Sequence, residues 1–239
     1  MPDIVVLVFV LVCVLTYSFE IVFGLAGTIL MLALLSSLFD PKILVIYSVL
    51  PQILVGGIGL LRSPPTVNVK FLLSMLAFAA LGTIAGLFLF YWFPATVFQQ
   101  LLASVITLFG VYLVMVPGLR RLGRMGARTL DFLAGVSQAL FGISGPIAMT
   151  RLLATFDEKT VVRNYALAFF LALNVLRAAG YIGQHTITPE IGHMMLVSAP
   201  FLVVGLWFSN YLHFKVNERV FRRVVAWIIL VAGASLFFR

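Results

Sequence analysis

Two glycine-containing motifs at the start of short apolar segments are the strongest candidates for a functional site. The first, GLAGT, runs from Gly24 to Thr28, and the second, GISGP, runs from Gly142 to Pro146. A helix that begins inside a membrane presents free N–H groups and a positive dipole end, which favour an anion. Glycine lets a ligand approach the backbone. With Arg177 added for its charge, the predicted substrate-binding residues are Gly24, Gly27, Thr28, Gly142, Ser144, Gly145 and Arg177.

Two ionisable residues lie inside apolar segments, where such groups are usually functional. Arg177 is seven residues from the end of segment 160–184, or about 10 Å at helical rise. It is expected to compensate the charge of an anion, or alternatively to form a structural ion pair. Glu20 either binds a coupling proton or neutralises Arg177. Gln52 and Asn174 are interpreted as helix–helix hydrogen-bonding residues.

The composition identifies the solvent that surrounds these residues. Hydrophobic residues make up 62% of the 239 positions and charged residues 10%, with a mean hydropathy of +1.14. Soluble domains contain roughly 25% charged residues, so the lipid bilayer must surround most of this chain. The net charge of +8 is spread over loops between apolar segments, which argues against nucleic acid. A single cysteine excludes an intrachain disulfide, and no cofactor is expected.

The lengths of the apolar segments predict both spans and hairpins. A spanning helix needs about 20 residues, but 28–39, 130–141 and 146–156 are shorter and reach only about 16–18 Å. We therefore expect each half to open with a helical hairpin whose glycine motif lies near the midplane. The apolar segments are approximately 4–23, 28–39, 43–61, 67–93, 96–116, 130–141, 146–156, 160–184, 189–214 and 220–238.

The two halves of the chain match in order and at a nearly constant shift. FGLAG at 23–27 matches FGISG at 141–145, a shift of 141 − 23 = 118, and VFQQ at 97–100 matches VFRR at 220–223, a shift of 123. We predict an all-α polytopic membrane protein of two inverted repeats, each a glycine-tipped hairpin plus three transmembrane helices. The predicted units are repeat 1–117 (hairpin 4–39, spans 43–116), a cytoplasmic linker 118–128, and repeat 129–239 (hairpin 130–156, spans 160–238).

The charges of the loops predict the orientation. A hairpin followed by three spans, repeated twice, puts all the basic loops on one side of the membrane and the loops near 93–96 and 184–190, which lack Lys and Arg, on the other. By the positive-inside rule the basic side is cytoplasmic. Both termini are then outside a cell membrane. The basic loops are 62–70, 118–128, 151–163 and 215–223.

The duplicated hairpins, each followed by a turn that contains an acidic and a basic residue and then by three spans, resemble the TauE/SafE (sulfite exporter) membrane proteins over the whole chain. In that family each hairpin typically contains Gly-x-Gly-Gly-Gly, whereas GLAGT and GISGP each replace two of those glycines. The resemblance implies a secondary transporter for a small sulfur-containing anion, such as sulfite or an organosulfonate. It leaves open the anion, the direction, the coupling ion and the oligomeric state.

Two other classes of protein are weighed against a carrier. GISG resembles the nucleophile motif of rhomboid intramembrane proteases, in which a histidine must activate the serine. The three histidines, His185, His193 and His213, are near the ends of spans, and Ala26 occupies the position equivalent to Ser144. We therefore predict that the protein is not an enzyme. A passive anion channel or a membrane scaffold remains the other alternative.

Overall fold

The computed structural model describes residues 3–23, 26–61, 63, 66–115 and 123–212, and this part of the chain is helical, without strands. Five helical segments within it are long and apolar enough to cross a membrane. The prediction of an all-α membrane protein is therefore confirmed. The helices are α1 Asp3–Phe23, α2 Gly27–Leu35, α3 Pro41–Tyr47, α4 Val49–Leu61, α5 Val69–Trp92, α6 Ala95–Met115, α7 Arg124–Phe141, α8 Gly145–Leu153, α9 Lys159–Gly183 and α10 Pro189–Leu212. The predicted last span, 220–238, lies outside the described residues.

Each half contains a long helix followed by a short one. The long helices, α1 and α7, have 21 and 18 residues, and the short helices, α2 and α8, have nine residues each. The short helices begin at Gly27 and Gly145, 145 − 27 = 118 residues apart. Helix α7 begins at Arg124, inside the segment 118–128 assigned as a linker and six residues before the predicted 130. The first turns of α7 contain arginines. These residues interrupt the apolar pattern from which the boundary was predicted, but they do not interrupt the helix.

The predicted span at 43–61 consists of two helices that break at Ser48. The first helix begins at Pro41, where the Asp40 carboxylate accepts the Lys42 N–H at 2.7 Å. The break precedes Pro51, which has no N–H to donate to the carbonyl four residues earlier. The freed polar groups lie deep in the bundle, because Ser48 is fully buried.

The helices of one half pack mainly against helices of the other half. Helix α1 packs on α10 and α5 on α7, while α4 and α9 pack together. Each hairpin also closes on itself, α1 on α2 and α7 on α8. The described residues of both glycine motifs are consequently enclosed by helices from both halves.

The turns that follow the two hairpins lie at opposite ends of α5. After the first hairpin, Lys42 Nζ donates to the carbonyl of Phe93, just past the end of α5, at 2.6 Å. After the second hairpin, the ring of Phe156 contacts that of Phe71, near the start of α5, with centroids 5.2 Å apart. Helix α5 has 24 residues, or about 36 Å at helical rise. The end near Phe71, called the basic end below, contains Lys70, Arg124, Arg128, Arg151 and Arg163.

Glycines let α5 and α7 approach backbone to backbone. A Cβ added to Gly82 would overlap the carbonyl oxygen of Phe132, and one added to Gly135 would overlap that of Ala79. Backbone atoms inside two packed helices cannot move aside as the end of a flexible side chain can.

We therefore expect Gly82→Ala to destabilise the protein by about 1–3 kcal/mol through overpacking. Gly57→Ala is the matched control, because no atom lies within 4 Å of an added Cβ there and alanine favours helix by about 1 kcal/mol over glycine. Thermal unfolding in detergent should show a lower Tm for Gly82→Ala and an unchanged or higher Tm for Gly57→Ala. Equal Tm values would contradict the close packing.

Candidate functional site

The tips of the two hairpins meet at a small buried cavity of about 10 Å³. A space of this size holds about one water molecule, so the two tips are closed on each other in this conformation. Helices α4 and α9 complete the walls. The lining residues are Glu20, Ala26, Thr28, Ile29, Gln52, Gln138, Gly142, Ile143, Ser144, Gly145 and Phe170.

At the first tip, the N-terminus of α2 binds the carboxylate of Glu20. Ala26, in a left-handed conformation (φ 80°), precedes the helix, and the Thr28 N–H donates to Glu20 Oε2 at 3.1 Å. Gly27 packs directly on Glu20, since a Cβ there would overlap the Glu20 side chain and approach the Thr16 carbonyl. A carboxylate of the chain itself therefore occupies the position predicted for an anion.

At the second tip, a neutral amide takes the equivalent place. Gln138 lies 138 − 20 = 118 residues after Glu20, and its Oε1 accepts the hydroxyl of Ser144 at 2.6 Å. Gly142 ends α7 in the left-handed region, φ 71°, which glycine adopts without strain. The N-terminus of α8 at Gly145 thus has no carboxylate of the described residues bound to it, and the two tips differ in charge.

Gln52 of α4 connects the two tips and is the residue whose role the sequence analysis missed. Its Nε2 donates to Glu20 Oε1 at 3.4 Å and to the Gly142 carbonyl at 3.1 Å. Its Oε1 accepts from Gln138 Nε2 at 2.9 Å and from Arg177 Nη1 at 3.2 Å. From the sequence, a single glutamine inside a span predicted only an ordinary hydrogen bond between helices, not a position between the two tips.

Arg177 is fully buried but does not line the cavity. Besides Gln52, its Nη1 donates to Asn174 Oδ1 at 2.7 Å, and its Nη2 donates to the Val45 carbonyl at 3.0 Å and to Ser48 Oγ at 3.4 Å. These last two contacts satisfy groups at the break between α3 and α4. No carboxylate of the described residues pairs with this guanidinium, and its Nε has no hydrogen-bond partner.

The structure brings most of the predicted site residues together. Gly27 lies behind Glu20, Arg177 lies on the far side of Gln52, and Gly24 lies outside the described residues. Glu20 and Arg177 are joined only through Gln52, so no direct ion pair connects them. The predicted residues that line the cavity are Glu20, Thr28, Gly142, Ser144 and Gly145.

The surroundings of Ser144 are those of a hydrogen-bonded polar residue. Its hydroxyl donates to an amide oxygen, that of Gln138. His185 and His193 are exposed, beside the loop that joins α9 to α10, and His213 lies outside the described residues. Neither described histidine is placed to activate the serine.

Comparison with known proteins identifies one family. The family model described as "Sulfite exporter TauE/SafE" matches residues 9–236 of the 239. The match includes most of the first hairpin, all of the second, and the helices that surround the cavity. No curated protein and no solved structure matches the chain.

Proposed function

The chain belongs to the sulfite exporter TauE/SafE family, and we propose that it is a secondary transporter that moves sulfite or an organosulfonate across the membrane. The single observation that carries this function is the meeting of two half-helix N-termini at one buried polar cavity. The cavity lies between hairpins contributed by both halves of the chain.

The electrostatics of the cavity suit a small anion. Backbone N–H groups at helix N-termini bind oxyanions without a cationic side chain. The N-terminus of α8 reaches the cavity, and that of α2 becomes available to an anion when Glu20 is protonated or moves away from the Thr28 N–H. Arg177 adds a positive charge that no described carboxylate neutralises by contact. Gln52 hydrogen-bonds both Arg177 and the residues of the cavity, and its amide can reorient when an anion enters.

The packing supports two halves of opposite orientation. The packing of α1 on α10 is matched by the packing of α7 on α5, the equivalent helices of the other half. The hairpin turns lie at opposite ends of α5. Secondary transporters of this design bind substrate near the midplane between inverted repeats. With the basic end cytoplasmic, both termini face the outside.

The closed cavity implies that transport requires movement. A space of about 10 Å³ admits one water molecule but not a sulfur oxyanion, so the tips must part to bind substrate. Opening toward one end and then the other would give alternating access, which separates a carrier from a passive channel.

Counterflow in proteoliposomes tests this function. Vesicles loaded with unlabelled sulfite should accumulate labelled sulfite or sulfonate faster than empty vesicles. The reason is that a carrier which has released labelled substrate inside can bind unlabelled sulfite there and so return to the outward-facing state faster. A passive channel, the second candidate, would conduct without stimulation from the opposite side. Absence of any flux of sulfite or sulfonates would contradict the proposed function.

We expect Glu20→Gln to abolish the pH dependence of anion transport. The ionised carboxylate accepts the Thr28 N–H in a charge-assisted hydrogen bond and repels an anion, whereas the protonated form accepts this N–H more weakly and carries no charge, so transport should rise as pH falls. Glutamine is neutral at every pH and already serves at the equivalent position 138. Initial rates of organosulfonate transport across the neutral range measure the effect, because a sulfonate stays ionised there, with the exposed Glu190→Gln as the control. A variant that keeps the pH dependence but loses Tm would make Glu20 purely structural.

A further inference from the structure

Two large cavities occupy equivalent positions at opposite ends of the bundle. The basic cavity, of about 870 Å³, lies between α5 and α7 and is lined by Arg124 and Arg128. The apolar cavity, of about 650 Å³, lies between α10 and α1 and is lined by Val6 and Val10. The repeat relates them, since 124 − 118 = 6 and 128 − 118 = 10. Two arginines in one half thus stand where the other half has two valines.

We propose that the basic cavity is a second anion-binding site, which captures the oxyanion at one end before it reaches the hairpin tips. This inference rests on the proposed function and specifies the side of the membrane from which the substrate is collected. Three arginines line the cavity, Arg124, Arg128 and Arg151, together with two carboxylates, Asp131 and Asp157. The net charge of this lining is +3 − 2 = +1.

Aromatic rings hold two of the arginines in place. The guanidinium of Arg128 lies over the ring of Phe78 at 5.1 Å, and that of Arg151 over the ring of Phe71 at 5.2 Å. Stacking of this kind holds the guanidinium by its face, while its N–H donors lie at its edge in the geometry that suits an oxyanion. These two guanidinium groups are therefore already ordered before the ligand arrives, which reduces the conformational entropy lost on binding.

Arg151, one of the two stacked arginines, also has an internal counter-ion that an anion can replace. Arg151 Nε lies 3.6 Å from Oδ1 of Asp131, and neither of these buried atoms has a hydrogen-bond partner. Asp131 is only 3% exposed. The pair is close enough for attraction but too long for a hydrogen bond. An oxyanion that reaches the guanidinium at hydrogen-bond distance gains contacts that Asp131 does not make.

The basic cavity lies on the approach to the hairpin tips. Arg151 follows Gly145 by six residues on α8, about 9 Å along the helix. In the other half, the positions equivalent to Asp131 and Arg151 are Cys13 and Ala33, so this ion pair has no counterpart there, and no described arginine lines the apolar cavity. Capture is therefore one-sided, and with the basic end in the cytoplasm it favours export.

Transport in sealed right-side-out and everted membrane vesicles tests the site, with sulfite as the probe. The parental KM should be lower at the face that carries the basic end. Arg124→Gln combined with Arg128→Gln should raise the KM at that face by about tenfold, the scale on which a charged cleft raises the local concentration of a ligand. Lys70→Gln is the control, because it removes an exposed charge from the same end without lining the cavity.

The outcomes separate this site from the site at the tips. A KM at the basic face that is unchanged in the double variant, in vesicles that still transport sulfite, overturns the basic cavity alone. An equal rise in Lys70→Gln would assign the effect to general surface charge and also overturn it. A rise that disappears in proteoliposomes without anionic lipid would make an anionic lipid headgroup the ligand, again contradicting substrate capture. Absence of sulfite transport in the parental protein would instead contradict the proposed function.

Discussion

Gly145→Val should reduce anion flux to the level of empty liposomes while the protein remains folded. Gly145 is the first residue of α8 and lines the cavity between the tips. A valine side chain there would occupy the space through which an anion reaches the N–H groups of the helix end. The loss of flux should be larger than that caused by removing any one side-chain ligand, because no other residue can supply the backbone N–H groups that the valine blocks.

Two features of Gly145 favour folding of the valine variant. The residue is only partly buried, and its φ is not in the left-handed region, which Gly142 alone occupies among the described glycines. Gly27→Val is a poorer test, because its side chain would press on Glu20 and on the Thr16 carbonyl. Substitution at Gly27 would therefore disturb the hairpin as well as the site.

Sulfite counterflow and thermal unfolding, measured on the same preparation, test Gly145→Val. Gly183→Val is the control, since a Cβ at the end of α9 meets no atom within 4 Å. Parental counterflow by Gly145→Val would mean that the anion does not approach the tip of the second hairpin. Loss of both flux and Tm would leave blockage unproved, and Gly145→Ala, with a smaller side chain, would then decide between blockage and misfolding.

The hairpins could be predicted from the sequence because they depend on local signals. Glycines mark the tips, the apolar runs of the short helices are too short to span, and the repeat at a shift of 118 supplies each signal twice. Glu20 comes four residues before Gly24 in the sequence, but its contact with the Thr28 N–H was not predicted, because that contact depends on how α1 and α2 pack.

Features that depend on contacts between distant segments could not be predicted. Gln52 is central only because α4 packs between Gly142 of one hairpin and Glu20 of the other. The start of α7 at Arg124 was missed because hydropathy measures burial in lipid, whereas these arginines line an open cavity. The break at Ser48 was missed because a carbonyl close to it, that of Val45, is satisfied by Arg177, 132 residues away.

Arg177→Gln should weaken anion binding strongly, because it removes the positive charge that no described carboxylate neutralises. A unit charge a few ångströms from an anion contributes about 2–4 kcal/mol at an effective dielectric of about 20. The KM for sulfite should therefore rise by about tenfold or more. Arg177→Lys keeps the charge but has fewer donors in a different geometry, so it should recover part of the affinity.

A purely structural role for Arg177 would give a different pattern. The guanidinium satisfies Val45 and Ser48 at the helix break and binds Asn174, so both substitutions should lower the Tm. If Arg177 only holds these groups, the Gln and Lys variants should lose affinity equally, because neither reproduces the guanidinium fork. If its charge acts on the anion, Lys should bind more tightly than Gln whatever their Tm values.

Ser48→Ala supplies the matched control for this comparison. It removes one hydrogen-bond partner of the same guanidinium, at 3.4 Å from Nη2, and changes no charge. It should lower the Tm slightly and leave the KM for sulfite near the parental value. A KM that rises as much in Ser48→Ala as in Arg177→Gln would show that the position of α3 and α4, rather than the charge of Arg177, controls affinity. A parental KM in Arg177→Gln would place the compensating charge elsewhere and remove Arg177 from the site.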